Sequence, residues 1–449
     1  MESTQEIPKL CLAPMVRVCT HPFRLLALRH GADFIYTEEI IDKKLIDVER
    51  IVNEDLKTID YVSNKDKSVV LRISEEEKPK LVCQLGTNNP ETVVKAAKII
   101  QNDVHSIDIN MGCPEFFSIH AGMGAGLVKL PEKARSILQA LTENIDIPIS
   151  CKIRILPEAT DTFEFIKTMQ STGIEHLSIH SRIREELSKG FAHWSIIREV
   201  IQNKDITIPI RANGDCFSCN DAVEIKRYTS CDGILIARGA CHNPAIFNDI
   251  KDHWTTVSHE ETKEEPAEDP YQEHKKPLHE CGLDKLVEEE TKLEEFKPEV
   301  KEGMSKNQAK KRAKKMLKKS KKDNSAQNGT DGKQSKTLAR IIETRNHGCN
   351  KVEILSLCQE YLKIAIEYGN RFGNTKYTLN YMLRTHKKEE EAFQRVNSAR
   401  NMKEMAKALS VDEFYTEQVA ERPVLISYFT DTFYKKKNKL KRQKIEEEE

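Results

Sequence analysis

Eight short apolar runs alternate with helix-like segments between residue 10 and about residue 250, and this alternation constrains the fold more than any other feature. The runs are apolar on both faces, as buried parallel strands are. The segments between them, such as "PETVVKAAKIIQN" (90–102), have the apolar spacing of helices. The runs are "LCLAP" (10–14), "DFIYTEE" (33–39), "LVCQLG" (81–86), "SIDIN" (106–110), "ISCKIR" (149–154), "EHLSIH" (175–180), "IPIRANG" (208–214) and "GILIARG" (233–239).

Eight strand–helix units in about 240 residues match a (β/α)8 barrel in number and length, so the sequence predicts the α/β class and a TIM barrel. The alternative is a doubly wound open sheet, which the count of eight disfavours. The longer gap from 40 to 80 predicts an added hairpin around "TIDYVSNKDKSVVLRI" (58–73). We therefore place a barrel domain at residues 1–255.

The composition changes near residue 258, where acidic sequence begins and a lysine-rich block, "SKNQAKKRAKKMLKKSKK" (305–322), follows. Such sequence has too little apolar surface to offset the entropy of ordering it. We interpret residues 256–338 as a disordered acidic and basic insertion. Helical spacing returns in "KVEILSLCQEYLKIAIEYG" (351–369), which predicts a small all-α domain at 339–420. Residues 421–449 are interpreted as a charged tail.

Charge and cysteine content limit the classes of protein that this chain can belong to. The 71 basic and 71 acidic residues balance, so net charge indicates no partner. No secretion signal and no apolar run of about 18 residues is present, so we expect neither export nor a membrane span. Twelve cysteines without such a signal predict reduced thiols in the cytoplasm, with the nucleus as a further location. The single close pair, Cys216 and Cys219, lacks the second pair of a zinc site, and we expect no metal.

Polar or reactive side chains follow almost every predicted strand. Catalytic residues of barrels come from the carboxyl ends of the strands, so these side chains should share one rim. Each alone has a structural interpretation: Lys152 as a surface lysine, His180 as a core histidine, Arg238 as an ion-pair partner. Their joint placement favours function. In chain order the residues are Pro14, Met15, Val16, Glu38, Glu39, Gln84, Asn110, Cys113, Lys152, Arg154, His180, Asn213, Gly214, Asp215, Ala237 and Arg238.

The ends of the last two strands, "ANGD" (212–215) and "ARGA" (237–240), predict a phosphate site. Barrels often bind phosphate after strands seven and eight, and glycines there let backbone N–H groups approach an anion. Arg238 adds a fixed positive fork. With Gln84 and Lys152 available for the polar edge of a heterocycle, the cofactor prediction is flavin mononucleotide (FMN).

Together these motifs resemble the tRNA dihydrouridine synthases, most closely the eukaryotic branch that reduces uridine 20 of the tRNA D-loop. The resemblance covers about residues 9–255 and 350–418, and "NMGCP" is its most specific part. The motifs are "APMVRVCTHPFR" (13–24), "TEEII" (37–41), "CQLG" (83–86), "DINMGCP" (108–114), "CKIR" (151–154), "SIHSR" (178–182), "ANGD", "ARGA", "NPAIF" (243–247) and "NTKY" (374–377).

The resemblance implies a chemistry for Cys113. Members of this family reduce the C5–C6 bond of a uracil with hydride from reduced FMN, and a positioned acid must then protonate the other carbon. A thiol of ordinary pKa, about 8.5, is mostly protonated near neutral pH and fits that role. The glycines at 122–126 would let the cysteine loop close over the substrate.

Roles for the other residues also follow from the resemblance. We expect FMN at Pro14, Met15, Val16, Gln84, Lys152, His180, Asn213, Gly214, Asp215, Ala237 and Arg238. We expect tRNA or its uridine at Arg17, Glu38, Glu39, Asn110, Arg154 and Lys376.

The implied partners are tRNA and a nicotinamide donor, NADPH or NADH. We expect the protein to be a monomer. The target base must be extruded into the pocket, and Lys/Arg contacts to phosphate should supply much of the affinity. No double-stranded-RNA-binding domain is expected after the helical domain, so the lysine block at 305–322 is either a substitute RNA contact or a linker and nuclear-import signal. Two other functions stay open: a barrel flavoenzyme that reduces a free pyrimidine, like dihydroorotate dehydrogenase, and a catalytically silent RNA-binding protein.

Overall fold

The computed structural model describes residues 6–187, 190–257, 271–281, 352–384 and 386–430. The strands are β1 Lys9–Leu12, β2 Phe34–Tyr36, β3 Ile40–Ile41, β4 Val48–Asn53, β5 Thr58–Ser63, β6 Val69–Ser74, β7 Leu81–Gly86, β8 Ser106–Met111, β9 Ile149–Arg154, β10 His176–His180, β11 Ile210–Asn213 and β12 Gly233–Ile236. The helices of the first 281 residues are α1 His21–Arg29, α2 Asp42–Ile46, α3 Pro90–Ile100, α4 Phe116–His120, α5 Pro131–Asn144, α6 Ala159–Gln170, α7 Trp194–Gln202, α8 Cys219–Thr229, α9 Arg238–His242, α10 Ile246–Val257 and α11 Gln272–Lys275. The later helices are α12 Ile354–Glu367, α13 Phe372–Leu383, α14 Glu390–Ser398, α15 Met402–Ala408, α16 Asp412–Glu421 and α17 Leu425–Phe429.

Eight parallel strands form a closed barrel. Neighbouring strands follow the order β2-β1-β12-β11-β10-β9-β8-β7, and a further pairing of β2 with β7 closes the ring. The short β3 continues along the same edge of β7, with Ile40 opposite Leu85. The predicted TIM barrel is therefore confirmed, and the open sheet is excluded because no edge remains unpaired in the ring.

The two faces of the barrel strands differ in polarity. The outer face is apolar and packs against the helices, with Ile107, Ile109 and Cys151 fully buried there. The inner face carries polar groups, and the buried Asp108 accepts hydrogen bonds from Gln84 (2.8 Å) and Ser150 (2.8 Å) on its two neighbours. The prediction of strands apolar on both faces is thus wrong for this part of the barrel interior, where hydrogen bonds satisfy the buried polar groups. Another part of the interior is apolar, at a small cluster that includes Cys11, Tyr36 and Leu235.

A three-stranded antiparallel sheet, β4-β5-β6, fills the gap between β3 and β7. Its β5–β6 hairpin confirms the predicted one, and β4 is an additional strand. The buried Arg24 of α1 binds this region to the barrel, because it donates to both carboxylate oxygens of Glu77 at 2.8 Å and to the carbonyl of Arg72 at 2.6 Å.

Six helices, α12–α17, form the region predicted to be all-α, of which residues 339–351 lie outside the described part. The last of them, α17, lies inside the predicted charged tail, so helical structure continues past residue 420. Tyr428 of α17 is buried and accepts a hydrogen bond from Asn53 at 2.8 Å. The apolar side chains of one helix face therefore extend the packed region to about residue 430. Residues 431–449 lie outside the described part.

Part of the predicted disordered insertion is folded. In residues 271–281, helix α11 buries His274 completely, and its imidazole stacks on Trp194 with ring centroids 4.0 Å apart. The prediction of disorder is wrong for this segment, because an aromatic side chain of the barrel provides a packing partner. The remaining parts of the insertion at 258–270 and 282–338, including the lysine block, lie outside the described residues. No helix in the described ranges is both long and apolar enough to cross a membrane.

Candidate active site at the carboxyl ends of the barrel strands

Cys113 lies in the loop that follows β8 and is held there by its neighbours. Its backbone carbonyl accepts from Ala125 at 3.0 Å. A Cβ on Gly124, whose φ is +55°, would lie 2.8 Å from that carbonyl and 2.9 Å from the Cys113 Cβ, so only glycine fits. Cys113 is half-buried, and burial raises the pKa of its thiol above the ordinary value. The thiol is therefore protonated at neutral pH.

Asn110 fixes the start of this loop. Its side-chain oxygen accepts from the backbone N–H groups of Gly112 (3.0 Å) and Cys113 (3.1 Å). The carboxyl of Glu39 lies on the same side of the site: burial raises its pKa, and a hydrogen bond from the Asn110 side chain opposes that rise. Asn110 thus connects the cysteine loop with the loop after β2.

Lys152 and His180 stand on neighbouring strands, at the ends of β9 and β10. Burial and the Arg154 guanidinium lower the pKa of Lys152 to about 7, against the opposing carboxyl of Asp108. Burial also lowers the pKa of His180, and the cations around it act in the same direction, so His180 is a neutral imidazole at pH 7. Lys152 can therefore lose its proton near neutral pH, whereas His180 stays neutral there.

Arg154 bridges two loops of the rim. Its Nε donates to the Gly112 carbonyl at 3.0 Å, and its Nη1 donates to the carbonyls of Leu187 (2.8 Å) and Ile183 (3.2 Å). These contacts join the cysteine loop to the loop after β10. Gly112 itself lies close to β9, since a Cβ there would be 3.1 Å from the Ile153 carbonyl carbon.

Asp215, after β11, is the centre of a buried cationic cluster. It accepts from Arg182 at 2.6 and 2.7 Å, from Arg238 at 2.7 Å and from the Ala192 N–H at 2.8 Å. These arginines hold the pKa of Asp215 well below its usual range, against the effect of burial, so it stays ionised. Two guanidinium groups therefore meet at one carboxylate, at the place where the sequence predicts phosphate.

The neighbours of Asp215 leave little space. Gly214 has a φ of +136°, and a Cβ there would approach Ala192 Cβ to 2.7 Å. Asn213 is buried and donates to the Leu235 carbonyl at 2.8 Å. Ala237 immediately precedes α9, which begins at Arg238. The four predicted residues of these two strand ends therefore lie together around Asp215.

The loop after β1 carries Pro14, Met15, Val16 and Arg17 to the same rim. Val16 is 62% exposed. Arg17 has a φ of +69°, a strained conformation for a non-glycine residue, and its N–H donates to the carboxylate of Glu38. Its guanidinium lies 4.3 Å from the ring centroid of Tyr377 on α13. This loop therefore connects the rim with the helical region.

Two predicted residues have partners elsewhere. Gln84 is buried within β7, where it donates to Asp108 inside the barrel. Lys376 donates to the Ala399 carbonyl at 2.7 Å and so joins α13 to the end of α14. The structure brings the remaining predicted residues together at the rim and places Lys376 within the helical region, next to Tyr377.

Sequence reasoning missed three residues of the site. Arg182 holds Asp215, and its signal was present in the "SIHSR" motif. Asp108 lies under Lys152, and its burial raises its pKa to about 6. His274, from the insertion, lies 3.9 Å from Asp215, and no local pattern indicated it. Among the described residues no group of acidic, cysteine and histidine side chains has the arrangement of a metal site.

The fold and rim define a (β/α)8 barrel with a polar, thiol-bearing site at the carboxyl ends of its strands. A family model described as "Dihydrouridine synthase (Dus)" matches residues 11–343 of the 449. The chain belongs to the dihydrouridine synthase family, which confirms the resemblance identified from the motifs.

Three curated relatives show the extent of the similarity. The tRNA-dihydrouridine(20) synthase, NAD(P)+, of Schizosaccharomyces pombe is 42% identical over 249 residues, 53% of this chain and 52% of that protein. Its Saccharomyces cerevisiae counterpart of the same name is 44% identical over 187 residues, 39% and 49% of the two chains. The S. pombe tRNA-dihydrouridine(16/17) synthase is 33% identical over 242 residues, 54% and 57%. The chain therefore spans about half the length of the first two relatives it matches.

Proposed function

We propose that this protein reduces a uridine in the tRNA D-loop, at position 20, to 5,6-dihydrouridine, with FMN as cofactor and NADPH or NADH as reductant. Family membership supports the reaction class. The names of the two relatives at 42% and 44% identity support position 20 and the nicotinamide donor. The observation that carries the proposal is a protonated Cys113 on a rim that also holds Lys152 and neutral His180.

The rim fits a flavin phosphate. Arg182 and Arg238 both bind Asp215, and Arg238 is the guanidinium that would meet the phosphate at this point of the rim. Gly214 and Ala237 keep side chains away from this point. Bound FMN would supply the hydride. The residues that would hold it are Pro14, Met15, Val16, Gln84, Lys152, His180, Asn213, Gly214, Asp215, Ala237 and Arg238.

Cys113 would supply the proton at its Sγ. Its raised pKa keeps the proton on sulfur at neutral pH, which a general acid requires. Asn110 and Arg154 fix the backbone of Gly112 and thus the direction from which the thiol approaches a base. The reaction requires a fixed position of the cysteine loop, and these hydrogen bonds hold the loop in that position.

The tRNA would meet the rim through Arg17, Glu38, Glu39, Asn110 and Arg154, with Lys376 on the helical side. The Oδ1 of Asn110 accepts from two backbone N–H groups and its Nδ2 donates one hydrogen to Glu39, so the second hydrogen of Nδ2 is the one that would pair with a uracil oxygen. Arg17 is an exposed cation that contacts Glu38 at the rim and Tyr377 in the helical region. We further propose a monomer in the cytoplasm, with import into the nucleus if the 305–322 lysines act as a signal.

Single-turnover kinetics test the proposal. The flavin of the purified protein is reduced with NADPH and mixed with tRNA transcript or free uridine, and flavin oxidation is followed together with dihydrouridine formation. We expect oxidation by tRNA alone, and a Cys113→Ala variant that keeps FMN and tRNA binding but loses most turnover. Oxidation by free pyrimidine would indicate the small-substrate enzyme, and no oxidation would indicate an RNA-binding protein. Mapping dihydrouridine in cells lacking the gene tests position 20.

A further inference from the structure

A cleft opens between the barrel and the helical region, next to the active-site rim. Its cavity volume is about 290 Å³, and we call it the junction cleft. It shares Arg17 and Glu38 with the rim, but its floor and far wall are formed by other elements. The residues that define it here are Arg17, Thr20, His21, Lys44, Ser68 and Asn374.

The junction cleft has a positive character. Lys44 is exposed and has no carboxylate partner among the described residues, and neither has the Arg17 guanidinium. Arg24, Arg72 and Arg371 also line the cleft and have partners, which for Arg24 and Arg72 are Glu77 and Asp60. Arg17 and Lys44 are therefore the cations available to a ligand, opposite the single carboxylate of Glu38.

The amino end of α1 adds to this character. Thr20 is its N-cap and makes no capping hydrogen bond, and the first turn contains no acidic residue. The positive end of the helix dipole is thus not compensated by a side chain at this wall of the cleft. An anionic ligand would be stabilised at this end.

A buried imidazole without a hydrogen-bond partner is the second, independent sign of a ligand. His21 is 4% exposed, and neither of its ring nitrogens has a hydrogen-bond partner. Its Nε2 lies 3.6 Å from Glu77, whose carboxylate is held by Arg24 at 2.8 Å. Burial and nearby arginines lower the pKa of His21, so the ring is neutral. A neutral imidazole offers one donor and one acceptor, which suits a base edge or a ribose hydroxyl.

The size of the junction cleft restricts its occupant. Ligand pockets span about 300–1,000 Å³, and this cavity lies at the lower end of that range. It admits one nucleotide and not a whole dinucleotide such as NADPH. Arg17, whose φ of +69° is fixed by contacts to Glu38 and Tyr377, stands between the cleft and the rim.

We infer that the junction cleft binds a second nucleotide of the tRNA, close along the strand to the uridine that enters the active site. Arg17, Lys44 and the amino end of α1 receive its phosphate, and the surroundings of His21 and Asn374 receive its sugar and base. The inference rests on the proposed function, because a nucleotide at this distance from the rim belongs to the same tRNA. It extends that function by giving the enzyme two binding sites for nucleotides of the D-loop.

Neighbouring lysines give a matched test of the phosphate contact. Lys43 and Lys44 are consecutive exposed residues of α2, and only Lys44 lines the cleft. In the full-length flavoprotein, Lys44→Ala should raise the Kd for tRNA on the order of tenfold, the loss of one charge-assisted contact. The slope of log K against log salt should become shallower by about 1. Lys43→Ala should stay within about twofold of wild type. Equal effects of the two substitutions would mean that Lys44 contributes only through general surface charge, and would overturn the inference.

Filling the cleft tests whether a base and sugar enter it. Ser68→Trp places an indole in the cleft, whereas Lys65→Trp puts one on the exposed side of the same turn. We expect Ser68→Trp to weaken tRNA binding at least tenfold and to make a further Lys44→Ala change silent, with Lys65→Trp unchanged. Normal tRNA binding by Ser68→Trp would overturn the inference, as would a raised KM for NADPH with tRNA binding intact. Failure of the proposed function is recognised separately, as a wild-type protein that forms no dihydrouridine.

Discussion

Replacing Asn110 should release the cysteine loop. Its Oδ1 is the acceptor for two backbone donors, the N–H of Gly112 at 3.0 Å and that of Cys113 at 3.1 Å. Asn110→Ala removes this acceptor and leaves both donors without it. Asn110→Asp is the matched control, because a carboxylate of the same shape keeps the acceptor for the loop; it removes the amide donor and with it the hydrogen bond to the Glu39 carboxyl.

The magnitude follows from the burial of these donors. An unsatisfied buried donor costs about 1–3 kcal/mol. Gly112 is buried and Cys113 half-buried, so the two together should cost about 2–4 kcal/mol of unfolding free energy in Asn110→Ala. In Asn110→Asp the two hydrogen bonds become charge-assisted, and the cost should be smaller.

Alkylation of Cys113 reports the loop directly. Of the ten cysteines whose side chains the structure describes, Cys113 alone is not buried. Peptide mass spectrometry can therefore follow its reaction with iodoacetamide separately from that of the buried cysteines. We expect faster alkylation and lower stability in denaturant for Asn110→Ala, with Asn110→Asp close to wild type in alkylation and intermediate in stability because its contact to Glu39 is lost. Alkylation at the wild-type rate in Asn110→Ala would refute the reasoning, since the loop would then be held by other contacts.

Three further outcomes are expected. Arg238→Ala should raise the Kd for FMN roughly 10- to 150-fold, because one charged contact of about 1.5–3 kcal/mol is lost. The Kd is measured by titrating the apoprotein with flavin, and an unchanged Kd would place the phosphate elsewhere. Burial raises the pKa of Asp108 from 3.8 to about 6, so the folded state binds its proton more tightly than the unfolded state and loses stability as pH rises through that interval. Asp108→Asn should remove about 2 kcal/mol of the stability difference between pH 4.5 and pH 7, measured by urea unfolding at both, and an unchanged difference would contradict it. Replacing residues 258–351 by a Gly/Ser linker should lower stability because Trp194 loses the stacked His274, whereas replacing 282–351 should leave stability unchanged. Unfolding of both variants is followed by tryptophan fluorescence, and equal stability would count against a structural role for residues 271–281.

The strands could be predicted because apolar runs between helical segments depend on local sequence. Their inner face could not be read correctly, since a run such as "SIDIN" is buried whether its polar positions face apolar side chains or, as Asp108 does, hydrogen-bond donors on other strands. The structure of residues 271–281 was not predictable from composition, because its partner, Trp194, is distant in sequence. The motifs placed the rim residues together, and the family they resemble was confirmed.

Site roles were harder to predict where a side chain has two possible partners. Asn110 was expected to face a uracil, yet its oxygen binds the backbone two and three residues ahead. Lys376 was expected to face tRNA, and its ammonium group binds the Ala399 carbonyl. Such competition between local backbone groups and a ligand leaves no trace in residue spacing.

The position of β1 between β2 and β12 has a consequence for biosynthesis. The side of β1 that faces β2 can pair as soon as Ile35 has emerged, but the side that pairs Lys9 with Gly233 and Leu12 with Ile236 must wait for the last strand. At about 5–20 residues per second, a ribosome needs roughly 10–40 s for the residues from Ile35 to Ile236. Throughout this interval the nascent chain carries an unpaired strand edge, a template for aggregation. Chaperone occupancy on ribosome-bound chains should therefore fall once residue 236 has left the exit tunnel.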